Sequence, residues 1–367
     1  MKRRGFVMNT AVLLLLIPLL LLLATYEDVS EYVLQAQAER ISVERQHNIV
    51  SQLERDFSNA MKLSSQKAVL VAVEYAITNF QFFDNASQAL SELIVNGTIE
   101  GNFQNTMKNI TISYWVNSTL NFLRSQGYSV NPSSPNEIVN NIELYVYPLD
   151  SFHIVVLGRV NDLEIRDLSN KVVYNGSIPQ LDYVYSIVAI DDMEDPFISA
   201  ITGGGYSRVI VPCNNSYPQL FGPHNVSTFL ECVKDFRYFG SNTGPSFLER
   251  LEGSMANHDY YIAKGLEMQE KFEFRTGYPV GLVTFLVPDR NYDERLYNYL
   301  LSVGVELEDQ TSSDYYFLKY YIEKNETTKK VGYPLSGSDT DQLLLDCDSA
   351  MDIFNTTNIL IGASCPG

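Results

Sequence analysis

The sequence lacks the short motifs on which most catalytic and metal sites depend. It holds four histidines, four cysteines and one tryptophan among 367 residues. No HExxH pair, CxxC pair, GxGxxG turn or P-loop lysine occurs. The run Gly203–Gly205 lacks the spacing of a phosphate-binding loop, and Gly205-Tyr-Ser207-Arg-Val209 lacks the last glycine of a nucleophile elbow. The sequence therefore predicts no catalytic residue and no enzyme.

Positive charge is also scarce, with 26 Lys and Arg against 44 Asp and Glu and a net charge of -18. Such an acidic surface repels phosphate backbones, so no nucleic-acid partner is expected. Acidic groups can ligate cations, and Asp289-Arg-Asn291-Tyr-Asp293 begins like an EF-hand loop. However, Glu294 occupies its glycine position and Leu300 its bidentate glutamate position. No cofactor is predicted, a structural calcium ion stays an alternative, and the metal ligands stay unknown.

Two further acidic groups could supply oxygen ligands, although solvated acidic loops are the simpler explanation. They are Asp191, Asp192, Glu194 and Asp195, and Asp339, Asp341, Asp346, Asp348 and Asp352.

The four cysteines form two pairs of neighbours near the end of the chain. Their even number and the absence of CxxC favour disulfides in an oxidising compartment. Four cysteines allow three connectivities, and closeness in sequence favours Cys213 with Cys232 and Cys347 with Cys365. Nine Asn-x-Ser/Thr sequences predict a glycoprotein with exposed acceptor segments. They lie at Asn85, Asn96, Asn109, Asn117, Asn175, Asn214, Asn225, Asn325 and Asn355.

One long hydrophobic run lies near the N-terminus, behind the basic residues Lys2, Arg3 and Arg4. From residue 6 to residue 26 the run has about 21 residues, which at ~1.5 Å per residue matches a hydrocarbon core of ~30 Å. This length predicts a transmembrane helix at 6–26. Basic residues before it and acidic residues after it predict a cytoplasmic N-terminus, a single-pass location in the cell membrane and an extracellular remainder.

Neither proline nor glycine occurs between Glu27 and Lys62, so the helix is expected to continue beyond the span to about Lys62. The more apolar segment from Lys67 to Phe80 is expected to form a separate, buried helix. Apolar residues recur mostly four apart and would form a stripe on this helix. This stripe either packs on the globular part of the same chain or packs against copies of itself in a filament. Its members are Val29, Val33, Ala36, Ile49, Leu53, Phe57 and Met61.

In the remaining chain, the spacing of apolar residues changes from one region to the next. Residues 27–130 are expected to form a helical stalk and helical subdomain, which ends before the breaker at Pro132 and Pro135. Alternating apolar residues predict an antiparallel β-meander in 136–212. Residues 213–367 carry the cysteines and mixed helix and strand patterns. Ser246 and Glu249 predict a capping box at the start of a short helix. Strands are expected at 279–287, 315–322 and 359–362. The predicted fold class is α+β: a transmembrane helix extended into a long helix, then an external domain with the meander and a mixed C-terminal part.

The sequence Arg3-Arg4-Gly5-Phe6, with the leucine-rich run and unbroken helix behind it, resembles the leader and first helix of archaeal type IV pilin-like proteins. With Ser246–Gly253 and Pro279–Phe285, the whole chain resembles large, uncharacterised pilin-like surface proteins of methanogens. The resemblance implies a leader at 1–5, cleavage between Gly5 and Phe6 by a prepilin peptidase, and helices that bundle with other pilin-like subunits.

One position departs from that pattern: Thr10 stands where bacterial pilins commonly have a glutamate. Within the run, Pro18 interrupts the hydrogen bonding of the helix. The expected function is that of a non-enzymatic, membrane-anchored extracellular surface protein, either a minor filament subunit or an adhesin-like component. The alternatives are an anchored binding module for sugars or metal ions, and a cell-surface hydrolase that uses paired carboxylates.

Overall fold

The protein is described from a computed structural model. The residues described are 3–213, 226–255, 258–305, 311–314, 317, 332–336, 343–354 and 356–365.

The first helix, α1, runs without a break from Arg3 to Asn79 and contains Pro18. It joins two segments that the sequence treats as separate helices, one ending near Lys62 and one beginning at Lys67. Serines at 64 and 65 bond back to helix carbonyls and do not end the helix: Ser64 Oγ donates to Ala60 O at 2.7 Å and Ser65 Oγ to Met61 O at 2.6 Å.

The prediction of a transmembrane helix is wrong. No helix among the residues described is both long and apolar enough to cross a membrane. Residues 6–26 are part of α1, which continues to Asn79. The predicted fold class, which starts with a transmembrane helix, and the predicted single-pass location in the cell membrane are corrected accordingly. The described residues form helices and antiparallel sheets in a mixed α and β structure.

The largest sheet has five antiparallel strands arranged around one long central strand. They are β3 (Ser129–Asn131), β4 (Ile142–Asp150), β5 (His153–Arg166), β6 (Val172–Ile178) and β7 (Val184–Ala189). The first half of β5 pairs with β4 and β7, and its second half pairs with β3 and β6. The register shifts between Val160 and Leu163, where Asp162 has a φ of 55°. This bulge lets one strand serve two pairs of neighbours.

The two faces of this sheet are covered by different helices. One face presents Val146, Ile154 and Val156, which share a buried core with Phe57 and Met61 of α1. The opposite face presents Leu149, Val155 and Leu157, which pack with Met268 of α8 (Asp259–Lys271). Alternate residues of a strand point to opposite faces, so each strand contributes to both layers.

Shorter helices close the sides of the α1 layer. They are α2 (Ala86–Asn96), α3 (Ile112–Ser125) and α4 (Pro135–Asn140), with a two-stranded ribbon of β1 (Thr98–Ile99) and β2 (Asn102–Phe103) and a 3₁₀ turn (Asn105–Met107). The side chain of Thr111 caps α3 by accepting from Tyr114 N, and Asn85 caps α2 by accepting from Gln88 N. Leu90, Leu93, Val116 and Leu120 join the core that contains Phe57.

A second hydrophobic core gathers the C-terminal part. It surrounds a three-stranded sheet of β8 (Tyr238–Ser241), β9 (Gly281–Leu286) and β10 (Ser312–Ser313), in the order β10-β9-β8. Around it lie α5 (Pro196–Ile201), α6 (Val226–Lys234), α9 (Glu294–Ser302), α10 (Cys347–Phe354), and the short pair β11 (Tyr333–Pro334) and β12 (Leu344–Leu345). The apolar side chains of α7 (Phe247–Leu251) join the core that contains Phe57.

Several local predictions meet their structural counterparts here. Ser246 and Glu249 form the expected capping box at the start of α7, and the strand expected at 279–287 is the fully buried β9. The terminal strand expected at 359–362 is a single bridge between Leu335 and Leu360. Apart from Phe317, the aromatic strand expected at 315–322 lies outside the described residues.

Candidate functional site

The first part of α1 projects from the rest of the molecule. Every side chain described between residues 12 and 48 is exposed. Among them are many large apolar groups, including Leu22 at 68% exposure, Val33 at 48% and Leu34 at 63%. We call residues 3–48 the stalk. Contiguous exposed apolar surface of this kind is unusual on a free soluble protein and is typical of an interaction surface.

The second part of the same helix has one buried face instead. Leu53, Phe57 and Met61 lie against the five-stranded sheet, and Phe57 and Met61 have no exposed surface. We call residues 49–79 the packed segment. The stripe predicted from the sequence is thus divided: its later members pack on their own domain, while Val29, Val33 and Ala36 stay exposed. Only the earlier members are available to a partner.

A groove of about 620 Å³ lies beside the packed segment, between α1 and α3. The α1 wall is built by residues three or four apart, beginning at Ile49 and ending at Leu63. The α3 wall follows the same spacing from Thr111 to Phe122. Because these spacings place side chains on one helical face, the groove separates two facing helix surfaces. Its volume falls within the range of ~300–1,000 Å³ that is usual for ligand pockets.

The lining of the groove combines aromatic rings with polar side chains. Tyr114 and Phe122 are each 48% exposed, and Trp115 packs on Phe57 with ring centroids 5.0 Å apart. Gln52 and Asp56 contribute exposed polar groups from α1. The indole N–H of Trp115 is buried and has no hydrogen-bond partner among the described residues. An unpaired buried donor of this kind costs about 1–3 kcal/mol.

The predicted leader junction falls inside the first turns of α1, where Gly5 and Phe6 are both helical. The prediction of disulfide bonds is confirmed. Cys213 joins Cys232 and Cys347 joins Cys365, with Cα–Cα distances of 5.6 and 5.7 Å. These bridges lie in the second hydrophobic core, away from the stalk.

Five of the predicted glycosylation acceptors fall on described residues, and all five side chains are exposed. Asn85 caps α2 and Asn96 ends it, Asn117 lies on α3, Asn175 lies on β6, and Asn109 lies on the wall of the groove. The remaining four, Asn214, Asn225, Asn325 and Asn355, lie outside the described residues. Occupancy by sugar stays a prediction for all nine.

Three of the acidic residues considered for calcium, Asp195, Asp293 and Asp346, accept hydrogen bonds from backbone N–H groups in the first turns of helices. Asp195 caps α5 by accepting from Phe197 N, and Asp293 caps α9 by accepting from Leu296 N at 3.0 Å. Asp346 accepts from Ser349 N at 2.9 Å. Within the described part of the chain, no group of three or more His, Cys, Asp or Glu side chains is arranged to hold a metal ion. Asp339 and Asp341 lie outside it.

Two buried arginines organise the second core and were not anticipated from the sequence. Arg250 Nη1 lies 2.7 Å from Asp195 Oδ2, and Arg250 Nη2 lies 2.6 Å from Asp314 Oδ2. Tyr238 also donates its hydroxyl to Asp195 at 2.8 Å. Burial raises the pKa of Asp314, although Arg250 opposes that rise, and burial raises the pKa of Tyr238 well above its usual value.

The second arginine, Arg208, forms an ion pair with Asp293 at 3.0 Å and donates from Nε to the hydroxyl of Tyr206 at 2.6 Å. It also donates to Thr284 and to the carbonyl of Phe285, both at 2.8 Å. Each arginine thus connects a carboxylate that caps a helix to residues in or near strand β9. These carboxylates are engaged in ion pairs that support the fold, which gives them a structural reason to be present.

Comparison of the chain with protein-family models, with curated proteins and with solved structures gave no match. The candidate site therefore rests on the geometry of this chain. Its central elements are the stalk and the groove. The sequence indicated the stalk through its apolar stripe. It gave no indication of the groove, because the two walls are separated by about fifty residues and meet only after α3 folds back beside α1.

Proposed function

We propose that the protein is a non-enzymatic, pilin-like subunit that assembles with other subunits through its stalk. The observation that carries this proposal is the division of α1 into a packed segment, which fixes the helix to a globular head, and a stalk with exposed apolar side chains. Burial of apolar surface is the main driving force of association, so side-by-side packing of stalks would stabilise an assembly.

The two disulfides support an extracellular setting for the head, since such bonds persist in oxidising compartments. The Gly5–Phe6 sequence supports removal of a leader before assembly. The mechanism is mechanical: the head stays folded around the packed segment while the stalk provides the apolar contact area. A minor-subunit or tip position suits a head of this size better than dense packing along a filament.

Assembly is tested with the double variant Leu22→Glu/Leu34→Glu, because two charges on the stalk would have to be desolvated at a helix–helix contact. Sedimentation velocity and electron microscopy should show elongated oligomers for the wild type and monomers for the variant. Leu181→Glu is the matched control, because Leu181 is 86% exposed but lies outside α1. A wild type that stays monomeric, or a double variant that assembles equally well, would contradict the proposal.

Leader removal is tested separately by mass spectrometry of the protein from its native cells. A mature chain that begins at Phe6 is the expected result. A chain that begins at Met1 would contradict leader removal by a prepilin peptidase. The sedimentation result would still decide whether the stalks associate.

A further inference from the structure

We propose that the groove between α1 and α3 holds the sugar chain attached to Asn109. Asn109 begins the acceptor sequence Asn109-Ile110-Thr111, and all three residues line the groove. This inference concerns the head of the molecule and is independent of assembly through the stalk. It assigns an occupant to a surface that the proposed function leaves unused.

The position of Asn109 favours attachment. Its side chain is exposed and makes no hydrogen bond to any described residue, whereas the side chains of Asn85 and Asn117 bond to nearby backbone groups. Its φ of 64° places it in the left-handed region, which asparagine tolerates better than most residues. A sugar on this side chain would therefore start at the wall of the groove.

The chemistry of the groove fits a sugar better than a second apolar helix. A pyranose ring has a face of C–H groups, which can pack on the exposed rings of Tyr114 and Phe122, and a rim of hydroxyls. The hydroxyls could bond to Gln52 and Asp56, two of the exposed polar side chains on the opposite wall. An apolar helix would leave those polar groups without partners.

The indole N–H of Trp115 is the second, independent indication. It is buried beside the groove and lacks an acceptor among the described residues. Sugar hydroxyls and acetamido carbonyls are acceptors of the kind that this donor requires. An aliphatic side chain from another protein would not supply one.

Trp115 is the only tryptophan of the chain, so its fluorescence reports on this groove alone. The test compares acrylamide quenching of glycosylated wild type with that of Asn109→Asp. The variant keeps the side-chain size and its tolerance of positive φ but removes the amide that carries the sugar. The matched control is Asn117→Asp, because Asn117 is exposed on α3, the helix that carries Trp115, but does not line the groove.

The expected result is stronger quenching and a red-shifted emission for Asn109→Asp, with no change for Asn117→Asp. Enzymatic trimming of the sugars from the folded wild type should reproduce the effect without a substitution. Glycopeptide mass spectrometry establishes which asparagines carry sugar.

Three outcomes would overturn the proposal. An unoccupied Asn109 in the native protein would do so directly. Trp115 that is equally accessible before and after trimming would show that the sugar lies elsewhere. Protection that depends on protein concentration, and persists without the sugar, would identify a second copy of the chain as the occupant.

Discussion

The stalk and the packed segment of α1 are two parts of one helix with opposite surroundings. Val33 in the stalk is 48% exposed, whereas Phe57 in the packed segment is completely buried. Both belong to the same four-residue apolar pattern in the sequence. The difference shows that an apolar stripe predicts which face of a helix makes apolar contacts, but it does not predict which surface covers that face.

The apolar face of the packed segment packs on the five-stranded sheet. Gly158 of β5 illustrates how close the contact is: a Cβ added there would lie 2.8 Å from Met61 Cε and 3.4 Å from Phe57 Cζ. Absence of a side chain at this position lets the helix approach the strand. The stalk has no corresponding surface among the described residues, so its contact is available for another molecule.

The largest expected effect comes from truncating the buried ring at position 57. Phe57→Ala should lower the free energy of unfolding by about 3–5 kcal/mol, because it removes apolar contacts and leaves a cavity between α1 and the sheet. Chemical denaturation followed by circular dichroism measures the change. Val33→Ala, the stalk control, should stay within about 0.5 kcal/mol of wild type. Equal losses for both variants would contradict the division of the helix.

A smaller effect is expected from adding a side chain at position 158, where α1 lies close to β5. Gly158→Ala should cost about 1–2 kcal/mol, because the new methyl group crowds the end of the Met61 side chain. The same denaturation experiment on Gly158→Ala/Met61→Ala should give a loss smaller than the sum of the two single losses. Strict additivity would mean that these two residues do not meet.

A single polar contact also ties the packed segment to the sheet layer. The carboxylate of Glu54 accepts a hydrogen bond from the backbone N–H of Gln180 at 3.0 Å. Glu54→Ala removes the acceptor and should cost at most about 0.5–1.5 kcal/mol, since the bond is solvent-exposed. The amide proton of Gln180 should exchange faster in the variant, and unchanged exchange would show that the contact does not form.

The smallest effect is expected in the stalk. Arg40 and Glu44 form an exposed ion pair with a 2.9 Å separation, one turn apart. Arg40→Ala should change helix stability by at most about 0.5 kcal/mol, and added salt should reduce even that difference, because exposed pairs are screened. Thermal denaturation at low and high salt measures it. A loss of more than 1 kcal/mol would indicate that this pair makes contacts beyond the helix itself.

Local sequence signals predicted several elements correctly. The cap formed by Ser246 and Glu249, the apolar strand that became β9 and the disulfides all depend on residues close together in the chain. The helix at the N-terminus was also expected. Its interpretation as a transmembrane helix was wrong, because no described helix is both long and apolar enough to cross a membrane.

The buried arginines and the groove could not have been predicted in the same way. Arg250 forms ion pairs with Asp195, which precedes it in the sequence, and with Asp314, which follows it. Trp115 contacts Phe57 only when α3 packs beside α1. Composition and periodicity do not predict such contacts, because they depend only on residues within one helix or strand. A single tryptophan near an acceptor asparagine was visible in the sequence, but nothing there placed it beside a groove.

The sequence by itself determined that α1 would be helical, that its apolar residues would lie on one side, and that the cysteines would pair with near neighbours. These properties follow from backbone propensity, helical periodicity and short loop closure. Only the tertiary structure decided that Phe57 and Met61 are buried while Val33 is exposed. The physical reason is that burial requires a second surface, and the sheet that supplies it is assembled from strands distant in the chain and covers only the later part of the helix.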